Sequence, residues 1–398
     1  MPAETMRTPP PSSGRRLLLE RIFPFLTRLS FLWKIPLRNI FRNRRRSIYT
    51  IIGVTFGISL ILVSAALLNA MDSFMSLQFD KMQRYDAQVN FAQPQPANLA
   101  DEVAGWAGVN KAEAVLQVPA NLEYGDEVYN TLAIGLSPGS ELYRLYSPAG
   151  NAVNIDGNGI LLSVPLQETL GVNTGDTISV RSASGVQLLD VQGFVKQPLG
   201  SFGYVSLEQA QELAGGIPVI SSLNLDIEPG YNMDTIEAKA YAIPDTASIE
   251  VTTETYDQYD AMLDLFRGMV WVMLGFGALL ALAIVFTTIT ISILERRREI
   301  ATMRTLGESK GRISAMITVE NMLLGLAGII PGICLGYALA VYFFSLYQND
   351  MFSLELVIFP RTYLLTVGLI ILIMLVSQIP SIRNSNRMDL AKETKIQD

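Results

Sequence analysis

Long apolar runs, rather than alternating or helical periodicities, dominate the two ends of this chain. Residues 48–70 and 268–294 carry no charged side chain, residues 315–347 carry only Glu320, and residues 363–380 form a shorter apolar run. About 20 apolar residues suffice for a helix to cross a hydrocarbon core of about 30 Å, so each run reads as a transmembrane helix. The segment between the first two runs has a different texture. YDAQVNF (85–91) and DTISVRSASGVQLLDVQGFV (176–195) read as strands, the second a hairpin about residues 182–185. Residues 98–106, 165–170 and 207–214 read as short helices. The pattern predicts an α-helical membrane protein with four transmembrane helices plus an α/β extracytoplasmic domain inserted between the first and second.

The divisions follow from these runs. An N-terminal arm (1–47) leads into the first span (48–70), and residues 71–267 form the inserted domain with helical stalks at both ends. The second span (268–294), a basic loop (295–314), the third span (315–347), a short external loop (348–362), the fourth span (363–380) and a tail (381–398) complete the chain. Residues 15–46 hold ten basic side chains and one acid, interleaved with Leu, Ile, Phe and Trp. That composition suits a helix lying in the interface, apolar groups inward and cations toward lipid headgroups, and residues 35–46 read as such a helix.

Charge then orients the spans. The chain is net −7, but residues 72–262 hold 25 acids and 7 bases, whereas the remainder holds 12 acids and 23 bases. An acidic insert within basic flanks predicts an external domain and cytoplasmic N- and C-termini in a multi-pass cell-membrane protein. The loop at 295–314 carries six of those bases. Within it Ile300, Met303 and Leu306 recur at a spacing of three, giving a short helix one apolar stripe amid charge, a form suited to docking into a partner's groove. In the spans, Gly53 and Gly57 form GxxxG, and Gly328, Gly332 and Gly336 recur every four residues beside Gly325 and Pro331. Small residues on one stripe admit a neighbouring helix at close range. Glu320, near the end of the third run, is either snorkelling to the interface or making an interior polar contact.

Several chemistries are excluded. The chain has no histidine, so His-based triads and His-ligated metals are absent, and its single cysteine, Cys334, permits no intrachain disulfide. It contains no GxxxxGK[ST] phosphate loop, no glycine-rich dinucleotide turn and no metal-ligand cluster. No cofactor, no metal site and no catalytic residue is expected, and the acidic insert argues against nucleic acid as a partner.

At this point a resemblance enters. REIATMRTLGESKGRISAMITVENMLLGLAGIIPGICLGYAL closely resembles the cytoplasmic loop and third span of the permease subunits of MacB/FtsX/LolC-type ABC transporters. LRNIFRNRRRSIYTIIGVTFGISLILV is similar to their N-terminal interfacial helix and first span. GILLSVPLQETLGVNTGDTISV with FGYVSLEQAQEL resembles their external domain more loosely, and PSIRNSNRMDLAKE resembles their ending. The resemblance implies a non-catalytic permease that pairs with a second copy or a homologous permease. Each would dock a separate ABC ATPase subunit, two copies per assembly, and transmit its ATP-driven closure outward, a mechanism called mechanotransmission. The output would be export, lipoprotein handling or regulation of an external partner, with an extracytoplasmic adaptor or substrate protein among the possible partners beside membrane lipid. It also makes residues 299–306 the coupling helix, with Glu299, Ile300, Met303, Arg304 and Leu306 as its contacts. LERIFPFLTRLSFLWKIPLRNIFRNRRRS resembles the join before the second core of double-length relatives, so the partner permease need not be identical. From the residues alone, a membrane receptor or scaffold with a sensing domain and no ATPase coupling stays open.

Overall fold

The computed structural model describes residues 31–155, 157, 159–347 and 354–386. The first part of the N-terminal arm, the start of the 348–362 loop and the tail from residue 387 lie outside the described residues. In chain order, α1 (Phe31–Arg42) and α2 (Arg44–Met75) lead into a π-helix (Ser76–Met82). Then come β1 (Ala87–Pro96), α3 (Leu99–Ala104), β2 (Val109–Tyr124), β3 (Glu127–Leu136) and a ribbon of β4 (Leu145–Tyr146) and β5 (Ala152–Val153). β6 (Gly159–Ser163), α4 (Val164–Leu170), β7 (Thr177–Ser182), β8 (Gly185–Val195), β9 (Gly203–Ser206) and α5 (Leu207–Leu213) follow. The insert closes with β10 (Val219–Ile227), α6 (Met233–Tyr241) and β11 (Thr246–Val251); α7 (Thr252–Glu295), α8 (Arg297–Thr305), α9 (Lys310–Tyr347) and α10 (Pro360–Asn386) complete the chain.

The chain divides into two compact units, one of them Ala66–Trp271 with Ala340–Ile358 and the other the remainder. Four helices are long and apolar enough to cross a membrane, over Arg44–Met82, Thr252–Glu295, Lys310–Leu346 and Pro360–Asn384. Between the first and the second of them lies a mixed α/β domain.

That domain is organised by β2, whose 16 residues are long enough to serve two subdomains. Its first half pairs antiparallel with β10, which pairs with β1, which pairs with β11. Four strands in the order β11-β1-β10-β2, with α3 and α6 as the two crossovers, make a split β-α-β arrangement. Val89, Leu223, Leu225 and Ile236 are buried in its core. The remaining strands are inserted between β2 and β10. From β2 the order runs β3, β9, β6, β8, β7, and β7 pairs back onto β2 at Asn121, Leu122 and Glu123, so this part of the sheet closes on itself. Closure removes the free edges that a flat sheet would expose. Alternate residues Leu116, Val118, Ala120 and Leu122 of β2 point inward with Ile160, Leu162, Ile178 and Val180. Ser206 caps α5 by accepting the amide N–H of Gln209, and Gly171 ends α4 in the left-handed conformation at φ 68°.

In the helical unit the close packing runs through glycine. A Cβ on Gly328 would lie 2.9 Å from Val54 Cγ1, on Gly332 2.8 Å from Ile58 Cβ, and on Gly336 3.0 Å from Leu62 Cδ2. Gly53 is in the same position against Ile284, Gly57 against Ala281 and Gly325 against Met374. The approach of α2 to α9 is close enough for Ser59 Oγ to donate to the Gly332 carbonyl at 3.1 Å, and Thr55 Oγ1 to that of Gly328 at 3.4 Å. Pro331 lies inside α9, which continues through it.

Candidate functional site

The site grows from a break in the chain after α7. Arg296 leaves the helical conformation, at φ −106° and ψ 14°, and α8 starts anew with Glu299 in its first turn, where a carboxylate complements the helix dipole. α8 ends at a complete Schellman motif. The Gly307 amide donates to the Arg304 carbonyl at 3.1 Å and the Glu308 amide to the Met303 carbonyl at 3.0 Å, with Gly307 at φ 96°. Ser309 then starts the next helix, its hydroxyl accepting the Arg312 amide at 3.3 Å. Two sharp boundaries thus isolate a nine-residue helix, Arg297–Thr305.

The structure divides the apolar stripe of this helix. Ile300 is 2% exposed and packs with Ile293, Ile313 and Ile317, and Met303 packs partly against the same cluster. Leu306, at the C-terminal end, is 81% exposed. Ile300 and Met303 therefore anchor the helix to its own unit, and the face left outward carries Arg298, Thr302, Thr305 and Leu306. Arg304 is half-buried, with its Nη1 lacking a hydrogen-bond partner among the described residues. The reason is geometric: a spacing of three advances about 300° per step, so the stripe winds around a helix of this length.

Behind α8 lies a buried ionic network centred on Glu320, which is 3% exposed. Its Oε1 accepts from Arg46 Nη2 at 2.6 Å, and its Oε2 accepts from Arg296 Nη1 at 2.7 Å and from Asn39 Nδ2 at 3.3 Å. Arg296 Nε also reaches Glu299 at 3.1 Å, Glu299 meets Arg42 at 2.9 Å, and Arg46 meets Glu295 at 3.4 Å. Three arginines and three glutamates link α1, α2, the end of α7, α8 and α9. Burial pushes the Glu299 carboxyl up, but the hydrogen bond from Arg296 and the charges of Arg42 and Arg296 outweigh it and hold the group below the usual carboxylate range. Of the two readings open for Glu320, the interior polar contact holds. Its partners were not legible in the sequence, since Arg46 is 274 residues away; the one available signal was a carboxylate inside an apolar run.

Chemically this arrangement holds neighbouring helices in position. Every strong acceptor on Glu320 is engaged, and among the described residues no group of His, Cys, Asp or Glu stands ready to hold a metal ion.

Residues 47–243 match the family model of the MacB-like periplasmic core domain, and residues 271–390 match that of the FtsX-like permease C-terminal region. A curated relative, the uncharacterized ABC transporter permease protein Rv0987 of Mycobacterium tuberculosis, is 23% identical over 186 residues, 45% of this chain. The match spans only 21% of that relative's length. Among solved structures, the periplasmic region of MacB from Actinobacillus actinomycetemcomitans aligns over 47% of this chain and 97% of its own, with 11% identity and a TM-score of 0.34. The extracellular domain of the noncanonic ABC-type transporter YknZ from Gram-positive bacteria aligns over 42% and 97%, with 14% identity and a TM-score of 0.31.

Proposed function

The chain belongs to the MacB/FtsX family of ABC transporter permeases, and from that premise we propose that it couples a separate ATPase subunit to its inserted domain through α8. The ATPase docks on the outward face of α8, with Leu306 as the apolar contact and Arg298 and Thr302 beside it. Two permease copies, or this chain and a homologue, each hold one ATPase, and the N- and C-termini lie on the ATPase side of the membrane. Closure of the ATPase pair displaces α8, and the displacement passes into the membrane helices for export, lipoprotein handling or control of an external partner.

The observation that carries this reading is the Glu320 network. A docking helix transmits force only if it does not swivel, and Arg296 and Glu299 bind the N-terminal turn of α8 to α9 and α1 by charge-assisted hydrogen bonds. The basic face on α8 also suits an acidic groove.

The test is a mild-detergent pull-down of the tagged chain from its native cells, with mass spectrometry and an ATPase assay. Wild type retains a stoichiometric nucleotide-binding subunit, and Leu306→Asp loses at least about tenfold of it while staying folded in the membrane, since Leu306 is exposed. Retention at wild-type level by Leu306→Asp would remove α8 from the interface. A wild-type preparation free of any ATPase would turn the reading toward a receptor or scaffold.

A further inference from the structure

A cavity of about 550 Å³ opens within the inserted domain, between the π-helix, β1–β3, β10 and the 197–202 loop. That volume is in the range of small-molecule sites. Its chemistry departs from the surface around it. Residues 72–262 carry 25 acids and 7 bases, yet among the described residues no charged side chain lines this cavity. Tyr85, Tyr129, Tyr143, Tyr259 and Phe202 supply aromatic walls, and Val115, Ile134 and Leu199 add aliphatic surface. Polarity comes from side-chain amides, among them Gln78, Gln88 and Asn224.

Two of those amides are incompletely paired although fully enclosed. Asn224 is 0% exposed; Gln88 Nε2 donates to its Oδ1 at 2.8 Å, which fixes the amide, yet its Nδ2 has no partner among the described residues. Gln78 is 2% exposed and its Oε1 is likewise without one. An enclosed unpaired polar atom costs roughly 1–3 kcal/mol, and the two residues that carry these atoms, one a donor and one an acceptor, both line this cavity. The backbone points the same way. Gln78 sits in the seven-residue π-helix, a wound-out form that is rare and concentrates at functional sites. The remaining walls are held in place: the Tyr204 hydroxyl donates to Gln197 Oε1 and pairs with the Tyr143 hydroxyl at 3.3 Å, while Gln197 Nε2 donates to the Leu199 carbonyl at 2.7 Å. Burial pushes the Tyr85 and Tyr143 phenols up, which favours their neutral forms.

We propose that this cavity binds an uncharged amphiphile, one that lays an apolar ring or chain face on the tyrosines and offers hydroxyl or amide groups to Asn224 Nδ2 and Gln78 Oε1. An anion is refused because no cation lines the wall and the surrounding domain is acidic. A cation is refused because no carboxylate lines the wall to offset its desolvation. A neutral ligand with both a donor and an acceptor satisfies the two orphan atoms together.

The experiment is saturation-transfer NMR on the full chain in nanodiscs, with empty nanodiscs as reference. The probe is the water-soluble phenyl β-D-glucopyranoside, set against phenyl β-D-glucuronide, the same skeleton with a carboxylate. The glucoside should show saturation at its ring protons and the glucuronide at least about tenfold less. Gln78→Met, which keeps the volume, and Asn224→Leu should each weaken the glucoside about tenfold. Because Gln78→Met removes an unsatisfied group, it keeps the fold intact and the test informative even where Asn224→Leu does not. Absence of signal from the glucoside, equal signal from the two probes, or a signal unmoved by Gln78→Met would each overturn the assignment.

Discussion

The two polar regions of this molecule resolve burial in opposite ways. Around Glu320 acidic and basic side chains face one another and both carboxylate oxygens of Glu320 are occupied, by two arginines and an asparagine. In the cavity of the inserted domain the groups are neutral, and two atoms buried as deeply are left without partners. A satisfied network is finished; it holds neighbouring helices in one arrangement. An unsatisfied one is completed only by something from outside. The difference separates a positioning device from a binding site without appeal to fold.

The largest expected effect comes from breaking the finished network. Glu320→Met leaves Arg46 and Arg296 buried with only Glu295 and Glu299 at their far ends. Removing one partner of a buried ion pair costs about 3–5 kcal/mol, to be read as a lowered thermal midpoint in nanodiscs. Replacing Arg46 and Arg296 with Met as well should recover most of that stability, because an apolar triad of similar volume is often as stable as the ionic one. ATPase stimulation should not recover, because α8 has lost its orientation. If the triple variant regains both stability and coupling, the network is a stability feature and positions nothing.

The contrast also explains what was legible from sequence. The four spans, the insert between the first two, the hairpin at 182–185 and the short helices near 99, 165 and 207 follow from composition, period and turn residues, all local properties. The closure of β7 onto β2 does not, since pairing at Leu122 and Val180 joins strands far apart in the chain. Glu320 announced itself as a charge in an apolar run, but Arg46 and Arg296 are two among many arginines, and only the packing of α2 against α9 and the break after α7 bring them to it. The spacing of Ile300, Met303 and Leu306 indicated an amphipathic helix without showing which side faced its own unit. The cavity left no sequence signal, because eleven glutamines, asparagines and tyrosines spread over residues 78–259 have no period.

A second way to sharpen the comparison is to remove the orphan acceptor. Gln78→Met deletes an enclosed carbonyl at nearly constant volume, and the recovered desolvation should stabilise the protein by about 1 kcal/mol. The sign is opposite to that for Glu320→Met, although both changes place methionine at a buried polar position. Such a gain, at a residue whose loss weakens ligand binding, is the trade of stability for function expected at a binding site. A lowered midpoint would mean that Gln78 is already satisfied by solvent and would weaken the case for the cavity.

Glu113 lies between these extremes and gives the smallest effect. Its carboxylate accepts the Glu141 and Leu142 amides at 3.0 and 3.3 Å and the Ser140 hydroxyl, and Lys111 Nζ stands at 2.9 Å. Burial alone would raise its pKa, but the hydrogen bonds from Ser140, Lys111 and the Glu141 amide outweigh it, leaving the group below its ordinary value of 4.5. A carboxyl depressed in the folded state contributes stability that is present above the unfolded value and is lost as pH falls through the folded one. Glu113→Gln should therefore lower the thermal midpoint at neutral pH by the equivalent of about 0.5 kcal/mol, since the amide still accepts some of these bonds. The gap between the two proteins should hold down to about pH 5 and narrow steadily below it. The cavity, lined among the described residues by no carboxylate, lysine or arginine, should show no matching change in glucoside binding over the same range. A gap that widened on acidification would mean that Glu113 is protonated in the fold, and that its loop is held by a neutral hydrogen bond of the kind that lines the cavity.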